Sequence, residues 1–379
     1  MNFLIGADIV PTRSNVDRFV QAQSRDLVGD ALLDILNGAS CRIFNLEVPL
    51  VERETPILKY GPNLQAPTAA VEGFKALGID CLALANNHIL DQGAQGLQST
   101  VSALDSAGIS HLGAGNSIAG ARRPFVFPFG GRRVGVYACA EHEFSTATEK
   151  TPGANPFDPL WSPDHVAALK NEVDYVVVLY HGGKEHYRYP SPDLQRICRR
   201  FVDKGADLVV CQHSHCIGCE EKYGAGTIVY GQGNFIFDYS DSEFWQTGLL
   251  ISVGRDFAIE YLPIVKAGNG VRLAEQGAAQ EIMDGFYARS NQIKAEGFLE
   301  KAYSEFAQGY LADYESAFRG RRTIVERGLN KLSGGKYSRW KSGRRFDRLS
   351  LVRIVNYVNC EAHRELLLSA LRNEISKGR

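Results

Sequence analysis

Short apolar runs alternate with amphipathic segments along the first two thirds of the chain. The runs Tyr175–Leu179 and Leu208–Cys211 are short and rich in valine, which is typical of buried strands. Helix-like stretches such as Gly96–Ala107 and Asp193–Lys204 lie between such runs. This alternation predicts an α/β fold in which helices pack against a sheet. The later runs are glycine-rich and closer together, so we expect part of the sheet to be antiparallel.

The pattern changes near residue 268, where Ala267–Gly270 interrupts it and the following segment has a mostly helical pattern. Between Arg319 and Arg348 there are eleven Lys and Arg residues against two acidic residues, Glu326 and Asp347. We therefore predict two regions, residues 1–268 and a basic, mostly helical C-terminal region of residues 269–379. The basic stretch is either a solvated helix face or a contact surface for an anionic polymer, a membrane surface or nucleic acid.

The composition is that of a globular protein rather than a membrane-spanning or disulfide-rich one. The chain has 379 residues, a formal net charge of −1 and 44% hydrophobic residues, which is typical of a globular protein. No apolar stretch reaches the roughly 18 to 20 residues that span a bilayer, and the N-terminus resembles a core strand more than a signal peptide. Eight cysteines lie mostly inside apolar runs, as expected for buried thiols in a reducing compartment. We expect a cytoplasmic protein, either free or peripheral at the inner membrane face.

Five apolar runs end in side chains that bind metals. These residues are Asp8, Glu47, Asn86-Asn87-His88, His181 and His213-Ser214-His215. Hard divalent ions take carboxylate oxygen and imidazole nitrogen, and a two-metal phosphoester site needs a carboxylate that bridges both ions. Alternate residues of an extended segment point to opposite sides, so a turn must bring both rings of His213 and His215 inward or give one ring to each metal. Each element alone also fits a polar turn or a helix cap, but the set predicts a metal site.

The order of these groups resembles the calcineurin-like metallophosphoesterases and, more closely, the bacterial capsule synthesis family (CapA, poly-gamma-glutamate biosynthesis). The matching segments are Asn45–Glu47, Ala85–Gly93, His181–Tyr187, Gly205–His215 and Ile228–Asp238. The resemblance covers about residues 3 to 265. It implies a four-layer α/β/β/α sandwich and one or two divalent ions, Mn²⁺, Fe²⁺ or Zn²⁺. The C-terminal helical extension, predicted from the pattern after residue 268, falls outside the resemblance.

The resemblance also implies a role for each matching residue. Its metal ligands would be Asp8 and His215 for the first ion, Asn87, His181 and His213 for the second, and Glu47 as the bridge. His88 would donate a proton to the leaving oxygen, and Asp91 would orient His88. Toward the substrate, we expect contributions from Glu185, Asn234 and Lys59. Lys59 lies in the Pro- and Gly-containing segment 55–67, which is either an anion-binding lid or an ordinary surface loop.

One position departs from the wider superfamily, which has a histidine two residues after the first aspartate. That position is Val10 here, so the first metal has one ligand fewer. The leading hypothesis is a metal-dependent phosphoesterase-like hydrolase in the biosynthesis of a capsule or another extracellular polymer, either poly-gamma-glutamate or polysaccharide. The second is a non-catalytic component of a biosynthetic complex that binds metal or anionic polymer. A nucleic-acid phosphoesterase is the third and least expected.

Overall fold

The computed structural model describes residues 1–238, 240–318, 324–345 and 348–359, together with residues 371 and 375. The chain divides into two compact units, Met1–Glu300 and Lys301–Arg379, which we describe separately. The first unit therefore extends past residue 268, where the sequence pattern changes. As a functional domain boundary, residue 268 stays a prediction.

The first unit contains most of the strands and helices. Its strands are β1 (Asn2–Val10), β2 (Cys41–Leu46), β3 (Cys81–Ala83), β4 (Ser110–Leu112), β5 (Ala114–Gly115), β6 (Phe125–Phe129), β7 (Arg132–Ala140), β8 (Gly153–Ala154), β9 (Tyr175–His181), β10 (Leu208–Gln212), β11 (Glu220–Tyr223), β12 (Gly226–Tyr230), β13 (Asn234–Phe237), β14 (Thr247–Gly254), β15 (Ile259–Ala267) and β16 (Gly270–Leu273). Its α-helices are α1 (Val16–Val20), α2 (Ser24–Gly38), α3 (Val71–Ala76), α4 (Gly93–Ala107), α5 (Ile118–Ala121), α6 (Ser162–Lys170), α7 (Pro192–Asp203) and α8 (Gln276–Gln292). Two short 3-10 helices are Thr68–Ala70 and Glu243–Trp245.

Two large sheets form the centre of this unit. The first has the order β16-β15-β14-β1-β2-β3-β4, with β13 also paired to β1. The second has the order β11-β12-β10-β9-β7-β6. In the first sheet β1 to β4 pair in parallel, whereas β14 to β16 pair antiparallel. The prediction that part of the sheet is antiparallel is therefore confirmed.

The sheets pack face to face, with helices outside both. Val177 of β9 belongs to the core shared with the first sheet, whereas the adjacent Val178 packs with Phe201 of α7 on the opposite face. Phe3 of β1 contacts Phe127 of β6 across the interface, with ring centroids 5.4 Å apart. Residues of α2, α3 and α4 join the same core from the outer side of the first sheet. The predicted four-layer α/β/β/α sandwich is confirmed.

Strand direction and register bring the polar strand ends together. In the first sheet Asp8 pairs with Asn45 across parallel strands β1 and β2. In the second sheet His181 pairs with Gln212 across parallel strands β9 and β10. Because parallel strands end at the same edge of a sheet, the residues that follow them share that edge.

The second unit is helical over most of its described residues, with a turn at 333–335. Helix α9 (Phe298–Phe318) begins before it, and α10 (Ile324–Leu332), α11 (Lys336–Arg345) and α12 (Arg348–Asn359) lie within it. Over the described residues of the whole chain, every helix is too short or too polar to span a lipid bilayer.

Candidate metal centre

Five predicted metal ligands meet where the carboxyl ends of the strands converge. They are Asp8 on β1, Glu47 after β2, His181 at the end of β9, and His213 and His215 after β10. All five side chains are buried. Such strand ends are where open α/β sheets commonly place ligands.

The five residues form two clusters that share Glu47. Ligand atoms of Asp8, Glu47 and His215 lie within 4.8 Å of one another, and so do those of Glu47, His181 and His213. His215 Nδ1 is 3.5 Å from Asp8 Oδ2, and His181 Nε2 is 3.2 Å from Glu47 Oε1. This is the arrangement expected when one carboxylate bridges two ions.

Three carboxylate oxygens at the centre lack the hydrogen bonds that burial normally requires. Asp8 Oδ2 and both oxygens of Glu47 are buried and accept no well-aligned hydrogen bond from the residues that the structure describes. An unsatisfied buried acceptor costs about 1–3 kcal/mol, and more when it is charged. A divalent cation would remove this cost, so the donor set fits a metal ion.

The pKa shifts of the clustered residues also fit a site for a metal ion. Burial acts to raise the pKa of Glu47, but the facing His215 and His181 hold it well below its usual value. Burial acts to lower the pKa of His215, yet Glu47 and Asp8 raise it to about 9. The pKa of His213 is also raised, because Glu47 outweighs the effect of burial. The Glu47 carboxylate is therefore ionised and attracts cations, and protons and metal ions compete for the same histidine nitrogens.

A sharp turn directs the two rings of the His-x-His motif into the site. Strand β10 ends at Gln212, and both His213 and His215 have left-handed backbone conformations, with φ of 85° and 53°. Such conformations cost about 1–3 kcal/mol each in residues other than glycine and are concentrated at functional sites. The turn gives one ring to each cluster, which is one of the two outcomes that the spacing predicted.

Asn87 presents its carbonyl oxygen to the second cluster. Asn87 Oδ1 is 3.0 Å from His181 Nε2, and Asn87 Nδ2 donates to Glu143 Oε2 at 2.8 Å. Glu143 thereby sets which side of the amide faces His181. The sequence analysis did not identify Glu143, because it lies in an exposed segment after β7 with no motif.

Asn45 is a second residue that the sequence analysis did not select. It is buried, and its Nδ2 donates to Asp8 Oδ1 at 2.7 Å and lies 3.3 Å from His181 Nδ1. Its Oδ1 accepts a hydrogen bond of 3.2 Å from Asn86 Nδ2. Asn45 thus links ligands of both clusters. Its place two residues before Glu47, on the same side of an extended segment, is the signal that could have revealed it.

His88 and Asp91 form a dyad next to Asn87. His88 Nδ1 is 2.6 Å from Asp91 Oδ2, and Leu64 N donates to the same oxygen at 2.6 Å. The Lys59 ammonium pairs with Asp91 Oδ1 and lies 3.3 Å from His88 Nδ1. The Lys59 side chain is only 2% exposed, so segment 55–67 closes over the dyad. Any direct contact of Lys59 with substrate stays a prediction.

The remaining predicted residues lie beside the His-x-His turn. Asn234 begins β13, and its Oδ1 is 2.9 Å from His215 Nδ1. Glu185 is half-buried, and its charge adds to the effect of Glu47 on His213. The Trp245 ring packs against His215 with centroids 4.5 Å apart, an apolar wall that no sequence motif indicated.

With this geometry established, comparison with known proteins identifies the family. Residues 4–239 match the model described as bacterial capsule synthesis protein PGA_cap. The chain belongs to this family. The membership that the strand-end motifs predicted is confirmed, and the matched range contains every predicted site residue.

Relatives support the same membership. The chain is 32% identical over 209 residues to capsule biosynthesis protein CapA of Bacillus anthracis, covering 54% of this chain and 51% of that protein. It is 30% identical over 183 residues to the PGA biosynthesis protein CapA of Bacillus subtilis, covering 46% and 47%. It is 33% identical over 231 residues to a probable polyglutamine synthesis accessory protein of Mycobacterium tuberculosis, covering 56% and 59%. The chain spans about half the length of these relatives.

Solved structures also resemble the capsule synthesis chain. A phosphatase of Mycoplasma pneumoniae aligns with a TM-score of 0.44 at 12% identity, covering 70% of this chain and 93% of that one. A 5'-nucleotidase precursor of Thermus thermophilus aligns with a TM-score of 0.42 at 16% identity, covering 78% and 59%.

Proposed function

We propose that this member of the capsule synthesis family is a metal-dependent phosphoesterase-like hydrolase that acts in the biosynthesis of a capsule or another extracellular polymer. One observation carries the proposal. Glu47, buried and without a well-aligned hydrogen bond from the described residues, is shared by two ligand clusters. The His88–Asp91 dyad lies next to the Asn87 ligand, so an acid–base group adjoins the metal centre.

The ligand sets follow from the two clusters. Asp8, Glu47 and His215 would hold one ion, and Glu47 would share the second with Asn87, His181 and His213. Carboxylate, amide oxygen and imidazole suit Mn²⁺, Fe²⁺ or Zn²⁺. When bound, such a pair of ions lowers the pKa of a water molecule and stabilises phosphoryl charge.

His88 is placed to deliver a proton. Its Nδ1 faces the Asp91 carboxylate, so Nε2 is the atom that can pass a proton to the leaving oxygen. Asp91 is itself fixed by Lys59 and by the Leu64 amide, which holds the His88 ring in one orientation. Positioned acids of this kind typically contribute about 10²- to 10⁴-fold in rate.

The substrate class follows from this chemistry and from the family. The centre suits a phosphate ester or anhydride, and relatives named for capsule and poly-gamma-glutamate synthesis suggest a polymer precursor or product. A poly-gamma-glutamate backbone contains no phosphate, so the phosphorylated group must come from another part of the pathway.

A second candidate is a non-catalytic metal- or anionic-polymer-binding component of a biosynthetic complex. Val10 favours it, because this apolar residue is buried in β1 where the wider superfamily has a ligand. The Mycobacterium tuberculosis relative is likewise named as an accessory protein.

Hydrolysis of p-nitrophenyl phosphate and bis-p-nitrophenyl phosphate by the Mn²⁺- or Zn²⁺-loaded chain separates the two candidates. We expect activity that His88→Ala lowers about 10²- to 10⁴-fold with metal content unchanged. His111→Ala is the matched control, because His111 lies on β4 and pairs with Asp105. A protein that binds metal but hydrolyses neither compound would favour the non-catalytic candidate.

We also propose that the basic C-terminal region contacts an anionic lipid surface. Helix α10 exposes the apolar side chains Ile324, Val325, Leu329 and Leu332 by 80%, 69%, 41% and 87%. At 100° per residue these four positions fall on one face of the helix. An exposed apolar face within a strongly basic stretch is typical of helices that lie in a membrane interface, whereas a purely anionic polymer would use only the charges.

A further inference from the structure

The two clusters differ in their number of ligand side chains. The second has Glu47, Asn87, His181 and His213, whereas the first has Asp8, Glu47 and His215. Val10 cannot add a ligand, because it is an apolar residue paired with Phe237. The first ion therefore needs another protein donor if its coordination is to match that of the second.

Asn234 lies where that donor is needed. Strand β13 pairs in parallel with β1, and the register sets Asn234 opposite Asp8. Asn234 Oδ1 is 2.9 Å from His215 Nδ1, and the same nitrogen is 3.5 Å from Asp8 Oδ2. An amide oxygen, an imidazole nitrogen and a carboxylate oxygen thus converge at one corner of the first cluster.

Gly233 allows this close placement. It has φ of 74°, in the left-handed region, and a Cβ at this position would lie 2.5 Å from the Thr247 carbonyl oxygen. A side chain here would push the start of β13 away from β14 and change the position of Asn234. The tight turn before Asn234 is therefore built into the backbone.

The other nearby amide, Asn45, has hydrogen-bond partners at both ends within the protein. Asn45 donates Nδ2 to Asp8 Oδ1 and accepts on Oδ1 from Asn86. Asn234 differs, since its buried Nδ2 has no hydrogen-bond partner among the described residues. A buried amide with one unsatisfied end costs about 1–3 kcal/mol, as is typical of groups held ready for a ligand.

We propose that Asn234 Oδ1 is the fourth protein ligand of the first metal ion and takes the place of the side chain that Val10 lacks. The inference rests on the proposed metal centre but not on hydrolysis. It leaves Asn234 Nδ2 to donate to a substrate oxygen, so the amide would join the metal ligands to the substrate side of the site.

Zinc content after equilibrium dialysis gives the first test, with Asn87→Ala as the matched control. We expect two ions in the unchanged chain. In Asn234→Ala the affinity for the first ion should fall more than about 10-fold, since even outer-shell partners contribute 10- to 100-fold to metal affinity. Asn87→Ala should weaken the other ion. Asn234→Asp should keep both ions, because it retains an oxygen ligand, and this variant guards against a loss caused by misfolding.

Crystals of the zinc-loaded chain give the second test, since a residue that only orients His215 would also affect affinity. Anomalous scattering should place an ion about 2.0–2.2 Å from Asn234 Oδ1. Two bound ions with Oδ1 beyond about 3 Å from both would overturn this inference and leave the proposed function intact. Absence of zinc from the unchanged chain would instead overturn the metal centre, and the inference with it.

Discussion

The buried pair between Lys59 and Asp91 should hold segment 55–67 closed over the His88 dyad. In Lys59→Met, Asp91 loses its cation, and breaking a buried pair costs about 3–5 kcal/mol. We expect a cost at the lower end, because Asp91 still faces His88 Nδ1 at 2.6 Å. At 1.4 kcal/mol per factor of ten, about 3 kcal/mol is roughly a 100-fold increase in local opening.

Hydrogen exchange reports this opening directly. The Leu64 amide donates to Asp91 Oδ2, so its exchange rate should rise about 100-fold in Lys59→Met when local opening controls exchange. Lys75→Met is the control, because Lys75 pairs with Glu72 on the surface with side chains 48% and 51% exposed. Such pairs contribute about 0–1 kcal/mol, so Leu64 should not respond. Equal Leu64 protection in the two variants would refute a closing role for Lys59.

Other predictions concern the amide network and the basic region. Asn45→Leu should lower the free energy of unfolding by about 2–4 kcal/mol, measured by denaturant unfolding in chelator. The substitution removes the hydrogen bond to Asp8 Oδ1 and one of the two that Asn86 Nδ2 donates, so that Asn86 keeps only its bond to the Leu46 carbonyl oxygen. An unchanged midpoint would contradict this role. The double variant Leu329→Glu, Leu332→Glu should bind phosphatidylglycerol vesicles at least about 10-fold more weakly in co-sedimentation, because the apolar face of α10 is lost. Equal vesicle binding, or binding to DNA but not to vesicles, would contradict the lipid proposal.

The strands and the ligand positions could be predicted because they depend on local patterns, whereas the four-layer arrangement was implied by the family resemblance. Short apolar runs identify strands, and parallel strands place their carboxyl ends at one edge, so Asp8, Glu47 and His181 were identified from position alone. The hydrogen bonds between Asn87 and Glu143 and between Asn45 and Asp8 join segments far apart in the chain. Contacts between distant segments leave no periodic pattern in the sequence, so these two could not be predicted from it.

A sequence pattern predicts that a strand exists more reliably than it predicts where the strand ends. The apolar N-terminus predicts a core strand but not its end, since β1 continues to Val10, through Gly6 and the acidic residue Asp8. It does so because β13 and β2 supply partners on either side of Asp8, a consequence of sheet order. Likewise the closure of segment 55–67 depends on Lys59 reaching a carboxylate 32 residues away.

Metal content of Glu47→Gln tests the central claim most directly. Both clusters share this carboxylate, so exchanging it for an amide should weaken both ions, whereas a ligand of one cluster should affect one ion only. Elemental analysis of the dialysed protein should find two ions per chain before the exchange and at most one after it. Two tightly bound ions in Glu47→Gln, or none in the unchanged chain, would contradict a two-metal centre built around Glu47.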